Sequence, residues 1–149
     1  MKSSWRLAIA LLALGLLWAG LAFNLSKPTD AAAYLRTALQ AAESAHDGAA
    51  TGALIGHQQL DQQVFTTFAV SAYEDAGKAL AGAQKKLAGT PPPDPASAGL
   101  RDRLAPLVQA AVHDLGEAAT ADGDATLRAA VGALQRDADQ LGALIEQHQ

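Results

Sequence analysis

Residues 89–95 read Gly-Thr-Pro-Pro-Pro-Asp-Pro, and this stretch decides how the rest of the chain is organised. Four prolines within five residues cannot lie inside a helix, because proline lacks the backbone N–H donor and its ring clashes with the preceding turn. The sequence on both sides is rich in alanine and poor in aromatic residues, which favours helices over strands. The stretch therefore divides an all-α domain into two helical halves.

Two helices are predicted after this break. Residues 96–120 carry leucine and alanine at spacings of three and four, with Pro106 inside, where we expect a kink. Residues 121–124 read Ala-Asp-Gly-Asp and predict a tight turn. Residues 124–147 repeat apolar side chains with a period close to seven, which predicts the last helix.

Two further helices are predicted before the break, over about 30–57 and 63–88. We place the turn between them in the polar, glycine-marked residues 56–63, and Asp47-Gly48 is a second candidate turn. The apolar period does not clearly stop there, so one continuous helix packed by a shorter hairpin is the alternative. Four helices of similar length with short connections predict an antiparallel up-down-up-down bundle.

Large apolar side chains are few in this domain, so we expect a thin core that depends on close approach between alanine-rich helices. Tyr34 and Tyr73 are expected at its boundary, with hydrated hydroxyl groups. The side chains expected to form the core are Leu35, Leu39, Leu54, Phe65, Phe68, Leu80, Leu104, Leu115, Val131, Leu134 and Leu141.

Residues 1–27 predict a targeting segment with a short connection to the domain. Residues 7–23 (LAIALLALGLLWAGLAF) carry no charge, and as a helix they reach about 25 Å, close to a hydrocarbon core of about 30 Å. Lys2 and Arg6 precede this run, so the positive-inside rule places the N-terminus in the cytoplasm and residues 28–149 outside it. The absence of a polar face argues against a buried helix of a soluble fold.

Two interpretations of this segment stay open. In the first it is a single-pass anchor that contacts the membrane through residues 5–23, with Trp5 and Trp18 toward opposite interfaces. In the second it is a signal peptide, cleaved near Ala22 at the small-x-small sequence of residues 20–22, and the domain is secreted.

Charge and cysteine content exclude several classes of function. The net charge is −4, and the residues after position 22 include 9 basic and 15 acidic ones. This negative charge argues against binding to nucleic acid or to an anionic membrane surface. The chain contains no cysteine, which excludes disulfides, zinc–thiolate sites, iron–sulfur clusters, thiol nucleophiles and a lipid attached to cysteine.

The histidines do not form a recognisable metal or haem motif. Glu43-Ser44-Ala45-His46 is one Glu-x-x-His match, whereas a di-iron bundle needs two, and Met1 is the only methionine available as a haem ligand. His46 and His57 would lie about 16 Å apart on one helix, so a bis-histidine site would need one of them opposite His113. His148 lies at the chain end. We therefore predict no metal site and assign no cofactor.

Carboxylates do not indicate catalysis either. We expect the pairs Glu74 and Asp75, Asp114 and Glu117, and Asp137 and Asp139 on solvated helix faces. Residues 122–124 lack the rest of an EF-hand loop, and nucleophile-elbow, P-loop and dinucleotide-binding motifs do not occur. The sequence therefore predicts that the protein is not an enzyme.

The alanine-rich middle of the first helix has two interpretations. Either a neighbouring helix packs tightly against it, or it lines a groove for a small apolar ligand or a partner helix. The alanines concerned are Ala41, Ala42, Ala45, Ala49, Ala50 and Ala53.

The segments 34–38 (YLRTA), 73–76 (YEDA) and 91–94 (PPPD) carry a resemblance. With this composition, the chain resembles uncharacterised alanine-rich, secreted or membrane-anchored helical-bundle proteins of high-GC Gram-positive bacteria. That family brings no known activity. The layout is also similar to the four-helix sensor bundles of bacterial chemoreceptors, but the sequence has no second transmembrane helix and no signalling module.

These observations predict a non-enzymatic, extracytoplasmic helical bundle at the cell envelope that binds a partner protein or a small ligand. The alternatives are a haem- or metal-binding four-helix bundle and a structural envelope spacer. We expect no binding to nucleic acid.

Overall fold

A computed structural model describes residues 30–148, and all regular structure within that range is helical. The prediction of an all-α fold is confirmed, and the arrangement is consistent with a four-helix bundle. The predicted membrane or signal segment lies outside the described residues. Within residues 30–148, none of the helices combines the length and apolarity needed to cross a membrane. The helices are α1 (Ala31–Leu60), α2 (Thr66–Gly89), α3 (Pro95–Ala119) and α4 (Asp124–Glu146).

The connection between α1 and α2 occupies residues 61–65, so the alternative of one continuous helix is wrong. Gln62 adopts a left-handed conformation there, with φ of 56°. The turn predicted within residues 56–63 overlaps this connection but begins too early, because Gly56 lies buried inside α1. The second candidate turn, at Gly48, is wrong, because Gly48 is also buried inside α1. Glycine in a helix costs about 1 kcal/mol relative to alanine, and close packing against neighbouring helices outweighs that cost here.

The proline-rich connection ends with residues that cap the N-terminus of α3. Asp94 caps the helix, with its carboxylate accepting from the Ser97 N–H at 2.8 Å and from the Ser97 hydroxyl at 3.0 Å. These bonds hold the pKa of Asp94 below its usual value. Pro95 occupies the first helical position, where its missing N–H has no cost. α3 continues through Pro106 as one helix.

α1 and α2 run antiparallel, and α1 contacts each of the other three helices. Gly48 of α1 lies against Leu80 of α2, and Gly56, two turns further along, lies against Tyr73, which precedes Leu80. Gly56 also lies against Val131 of α4. Glycines on α1 therefore let both neighbours approach closely, as bundle packing of small residues requires.

Three side chains predicted in the core are exposed instead. Leu54 is 56% exposed, Phe65 88% and Phe68 57%. The core positions predicted for Phe65 and Phe68 are therefore wrong, because alanine lies on several faces of α2 and gives its apolar period little contrast. The buried stripe of α2 consists of Ala69, Tyr73, Ala76, Leu80, Ala83 and Leu87.

Both bundle tyrosines are buried, so the prediction of hydrated hydroxyls is wrong. Tyr34 is 1% exposed and Tyr73 6%, and burial raises the pKa of each. The Tyr73 hydroxyl donates to Gln59 Oε1 at 2.9 Å and thereby joins α2 to the end of α1. The Tyr34 hydroxyl has no hydrogen-bond partner among the residues that the structure describes.

The alanine-rich middle of α1 packs tightly against its neighbours. Ala41, Ala42, Ala45 and Ala49 are each 0% exposed, and Ala53 is 1% exposed. The interpretation of this face as an open groove is therefore wrong.

Candidate functional site

The bundle carries an open, mostly apolar groove of about 300 Å³ between α2 and α3. It lies in the half of the bundle that contains the α1–α2 connection, since it uses the first part of α2 and the last part of α3. Its position differs from the predicted groove on α1. The lining residues are Val70, Tyr73, Glu74 and Gly77 from α2, and Val112, Leu115, Gly116 and Ala119 from α3.

Two glycines leave the space that forms the groove. A Cβ atom added at Gly116 would meet nothing within 4 Å, and one added at Gly77 would lie 3.7 Å from Leu115 Cδ2. Neither glycine is needed for a turn, because both lie inside helices. The groove is therefore a consequence of missing side chains, and a larger side chain at Gly116 would fill it.

Glu74 supplies the charge at this site. It is the charged residue among those that line the groove, and it forms no ion pair within residues 30–148. The nearby Lys78 is bound to Asp75 at 2.8 Å instead. The Tyr73 hydroxyl is occupied by Gln59, so the groove offers mainly apolar contact with one carboxylate at its edge.

Exposed apolar side chains also lie at this end of the bundle. Phe65 immediately precedes α2 and Phe68 lies in its first turn, and neither side chain lines the groove. Val70, at the edge of the groove, is 51% exposed. Sequence reasoning placed both phenylalanines in the core, and an exposed pair of this kind could be found only once the rotation of α2 was known.

The candidate histidines are dispersed. His57 and His113 are exposed on different helices, and His46 lies 3.1 Å from the Asp47 carboxylate. His148 contacts Arg103. In the described part of the chain, no three histidine, aspartate or glutamate side chains come together in a way that could hold a metal ion.

One carboxylate departs from its predicted solvated face. Asp137 on α4 is 7% exposed, its Oδ2 atom has no hydrogen-bond partner within residues 30–148, and its neighbour across the α3–α4 seam is Asp114. Burial and the neighbouring Asp114 raise the pKa of Asp137 to about 6. The signal was available in the sequence, since Asp137 lies three residues after Leu134 and four before Leu141 and so occupies a position of the apolar stripe.

Asp137 and Asp114 do not form part of the groove, and the other paired carboxylates are exposed as predicted. These are Glu74, Asp75, Glu117 and Asp139.

Comparisons of the chain with protein-family models, with curated proteins and with solved structures found no match. The resemblance to alanine-rich envelope proteins therefore stays a hypothesis.

Proposed function

We propose that this chain is a non-enzymatic helical bundle of the cell envelope, which holds its helical domain outside the cytoplasm and binds a partner protein through the α2–α3 groove. The observation that carries the proposal is the open, mostly apolar groove, at whose edge Val70 is 51% exposed. Large exposed apolar surface marks interaction sites in soluble domains.

A protein accounts for this surface better than a small molecule does. The groove is open between two helices rather than enclosed, and open apolar grooves of this kind accept an apolar helix of a partner. Glu74 at the edge favours a partner with a lysine or arginine beside its apolar stripe.

A small apolar ligand is the second candidate. The groove volume of about 300 Å³ lies at the lower limit for ligand pockets, and its lining is largely apolar.

The location rests on the sequence of residues 1–27. An anchor at residues 5–23 would join the bundle at the start of α1, which begins at Ala31. α1 has 30 residues and spans about 45 Å, and the groove lies beside its far half. A partner would therefore approach from the side away from the membrane.

The location is tested by measuring the intact mass of the chain in separated membrane and culture-medium fractions. Full-length chain in the membrane supports the anchor, and a shortened chain in the medium that begins near Phe23 supports cleavage. Chain found in the cytoplasm alone contradicts both. Because the chain has no cysteine, Ser71→Cys on the exposed side of α2 provides one site for a membrane-impermeant maleimide.

The groove is tested by placing a photo-crosslinking amino acid at Val70 and, as a control, at the exposed Gly82 on the same helix. We expect a defined protein adduct from Val70 and none from Gly82. Gly116→Leu should lower that adduct at least tenfold by filling the groove. Gly99→Leu is the matched control, because a Cβ there also meets nothing within 4 Å and lies on the same helix away from the groove. An adduct that survives Gly116→Leu unchanged contradicts the proposal.

A further inference from the structure

The α2–α3 groove is one end of a longer surface along the outside of these two helices. A second apolar depression, of about 150 Å³, lies between the last part of α2 and the first part of α3. Gly77 in the groove and Gln84 in the depression are seven residues apart on α2, and Ala105 and Val112 have the same spacing on α3. Seven residues make about two helical turns, so both openings lie on the same helix faces. The depression is lined by Gln84, Leu87, Ala88, Arg101, Ala105, Val108 and Gln109.

The two ends of this surface carry opposite charge. At the groove end, α2 and α3 together have four acidic residues and one lysine, whereas at the other end they have four basic residues and one aspartate. Glu74 lines the groove and Arg101 lines the second depression. The acidic residues are Glu74, Asp75, Asp114 and Glu117, and the basic residues are Lys85, Lys86, Arg101 and Arg103.

A surface with one acidic and one basic end is complementary to itself when two copies meet antiparallel. The acidic end of each copy then faces the basic end of the other, and one twofold axis satisfies both contacts. A parallel arrangement would place like charges together. This charge distribution therefore favours a second copy of the chain over a partner whose charge would have to match both ends independently.

Arg101 keeps the capacity to bind a further carboxylate. Its Nε and Nη2 atoms both donate to one oxygen of Asp102, at 3.3 Å and 3.1 Å, which leaves Nη1 for another acceptor. The Asp102 side chain is 68% exposed, and an ion pair of this kind contributes little to stability. Glu74 forms no ion pair within residues 30–148, so it can supply that acceptor in a second copy.

The length of the surface is close to what a specific dimer requires. α2 has 24 residues and α3 has 25, which corresponds to about 36 Å. Two helices packed side by side are about 20 Å wide, so the surface covers about 700 Å² on each copy. Specific interfaces bury about 800 Å² per partner.

We propose that the partner in the α2–α3 groove is a second copy of this chain, bound antiparallel so that Glu74 of each copy contacts Arg101 of the other. This inference rests on the proposed function of the groove as a partner site. The twofold axis passes near the exposed Ala81, between the two openings. Glu74 lies seven residues before Ala81, and Ala88, beside Arg101, lies seven residues after it. The axis therefore brings Glu74 of one copy level with Arg101 of the other.

The antiparallel arrangement also constrains the N-terminal segments. The start of α1 lies at the same end of the bundle as the start of α3, so the two copies of α1 begin at opposite ends of the dimer. Copies anchored in one membrane through residues 5–23 would have to lie along its surface, whereas copies released by cleavage near Ala22 pair without this constraint.

Charge reversal tests the proposed contact in the full chain, solubilised in a density-matched detergent and measured by analytical ultracentrifugation. Glu74→Arg and Arg101→Glu should each raise the dimer dissociation constant at least tenfold, because each brings like charges together. An equimolar mixture of the two variants should dimerise again, because the charges are opposite in the mixed dimer. Arg128→Glu, at an exposed arginine of α4, should have no effect. A monomeric parent chain, or a mixture that associates no better than either variant alone, overturns the proposal.

A single thiol tests the position of the axis, because the chain has no cysteine. Ala81→Cys should give at least tenfold more disulfide-linked dimer on oxidation than Ser71→Cys, which is exposed on α2 but does not line either opening. Circular dichroism checks that both variants keep the helix content of the parent chain. Equal yields from the two variants reject the antiparallel arrangement.

The photo-crosslinker at Val70 separates this inference from the proposed function on which it rests. An adduct with twice the mass of the chain supports a second copy. An adduct with a different protein overturns the second copy and leaves the groove as a partner site. The absence of any adduct contradicts both.

Discussion

The glycines of α1 and the glycines of the α2–α3 groove have opposite effects on packing. A Cβ at Gly48 would lie 3.0 Å from a side chain and 3.1 Å from a backbone oxygen of α2, and one at Gly52 or Gly56 would collide with side chains of α3 or α4. At Gly77 and Gly116 the same atom would find ordinary contact or open space. The absence of a side chain at glycine therefore allows close packing where a neighbouring side chain fills the space, and it leaves a groove where no neighbour does.

Leu115 connects the two regions. It lines the groove, but one of its methyl groups occupies the space beside Gly52 of α1, and the other lies 3.7 Å from the Cβ position of Gly77. Because Leu115 reaches toward α1, it fills the centre of the bundle rather than the seam between α2 and α3. We infer that the small residue in α1 contributes to the opening of the groove.

The largest effect on the free energy of unfolding is expected from replacing glycine by leucine, once in the closely packed α1 and once in the α2–α3 groove. Gly56→Leu should lower the free energy of unfolding by about 3 kcal/mol or more, because Val131 is β-branched and has little freedom to move aside. Gly116→Leu should leave it unchanged or raise it by up to about 1 kcal/mol, since leucine is the better helix former. Urea denaturation followed by circular dichroism measures both.

Equal destabilisation by the two leucine variants would contradict this contrast between closed and open seams. Gly99→Leu provides a further reference for helix propensity alone, because its Cβ also meets open space.

The second largest effect on stability is expected at the α3–α4 seam, where a carboxylic acid is buried at a position of the apolar stripe. The folded-state pKa of Asp137 is about 6, above the ordinary value of 3.8, so folding favours the protonated form. Its contribution to stability is therefore complete below about pH 4 and is lost as the pH rises through 6, a change of at most about 3 kcal/mol. Asp137→Asn should remove this dependence and raise the unfolding free energy at pH 8 relative to the parent chain.

Asp139→Asn is the control for this pH effect, because Asp139 is exposed on the same helix. Unfolding free energies of the parent chain and of both variants, measured between pH 4 and 8, test whether Asp137 causes the pH dependence of stability. Parallel pH profiles for the parent chain and Asp137→Asn would show that the buried carboxyl does not control stability.

The smallest effect separates the two buried tyrosines. Tyr73→Phe should lower the unfolding free energy by about 1 kcal/mol, because it removes the hydrogen bond to Gln59. Tyr34→Phe should leave it unchanged or raise it by about 1 kcal/mol, because the Tyr34 hydroxyl is buried without a partner in residues 30–148. Thermal and urea unfolding of the two variants measure the difference, and a loss of stability in Tyr34→Phe would mean that its hydroxyl is bound.

Much of the helical layout was predictable from local signals. Local backbone signals end and start helices independently of the tertiary structure. These signals are the prolines of residues 91–95, the capping Asp94 and the Asp-Gly-Asp turn near residue 123. The break between α1 and α2 was placed too early, since Gly56 resembles a turn signal and in fact serves packing. The groove was not predictable, because it arises from two helices brought together by the rest of the bundle.

By itself, the sequence determined that the described domain is helical and where its proline-rich break lies, because propensity and backbone chemistry act locally. Only the tertiary structure decided how each helix is rotated about its axis. That rotation buries Tyr34 and Tyr73, exposes Phe65 and Phe68, and places Asp137 inside. Alanine lies on several faces of these helices and gives a weak apolar period. The orientation is therefore set by which large side chains fit against the glycines of α1.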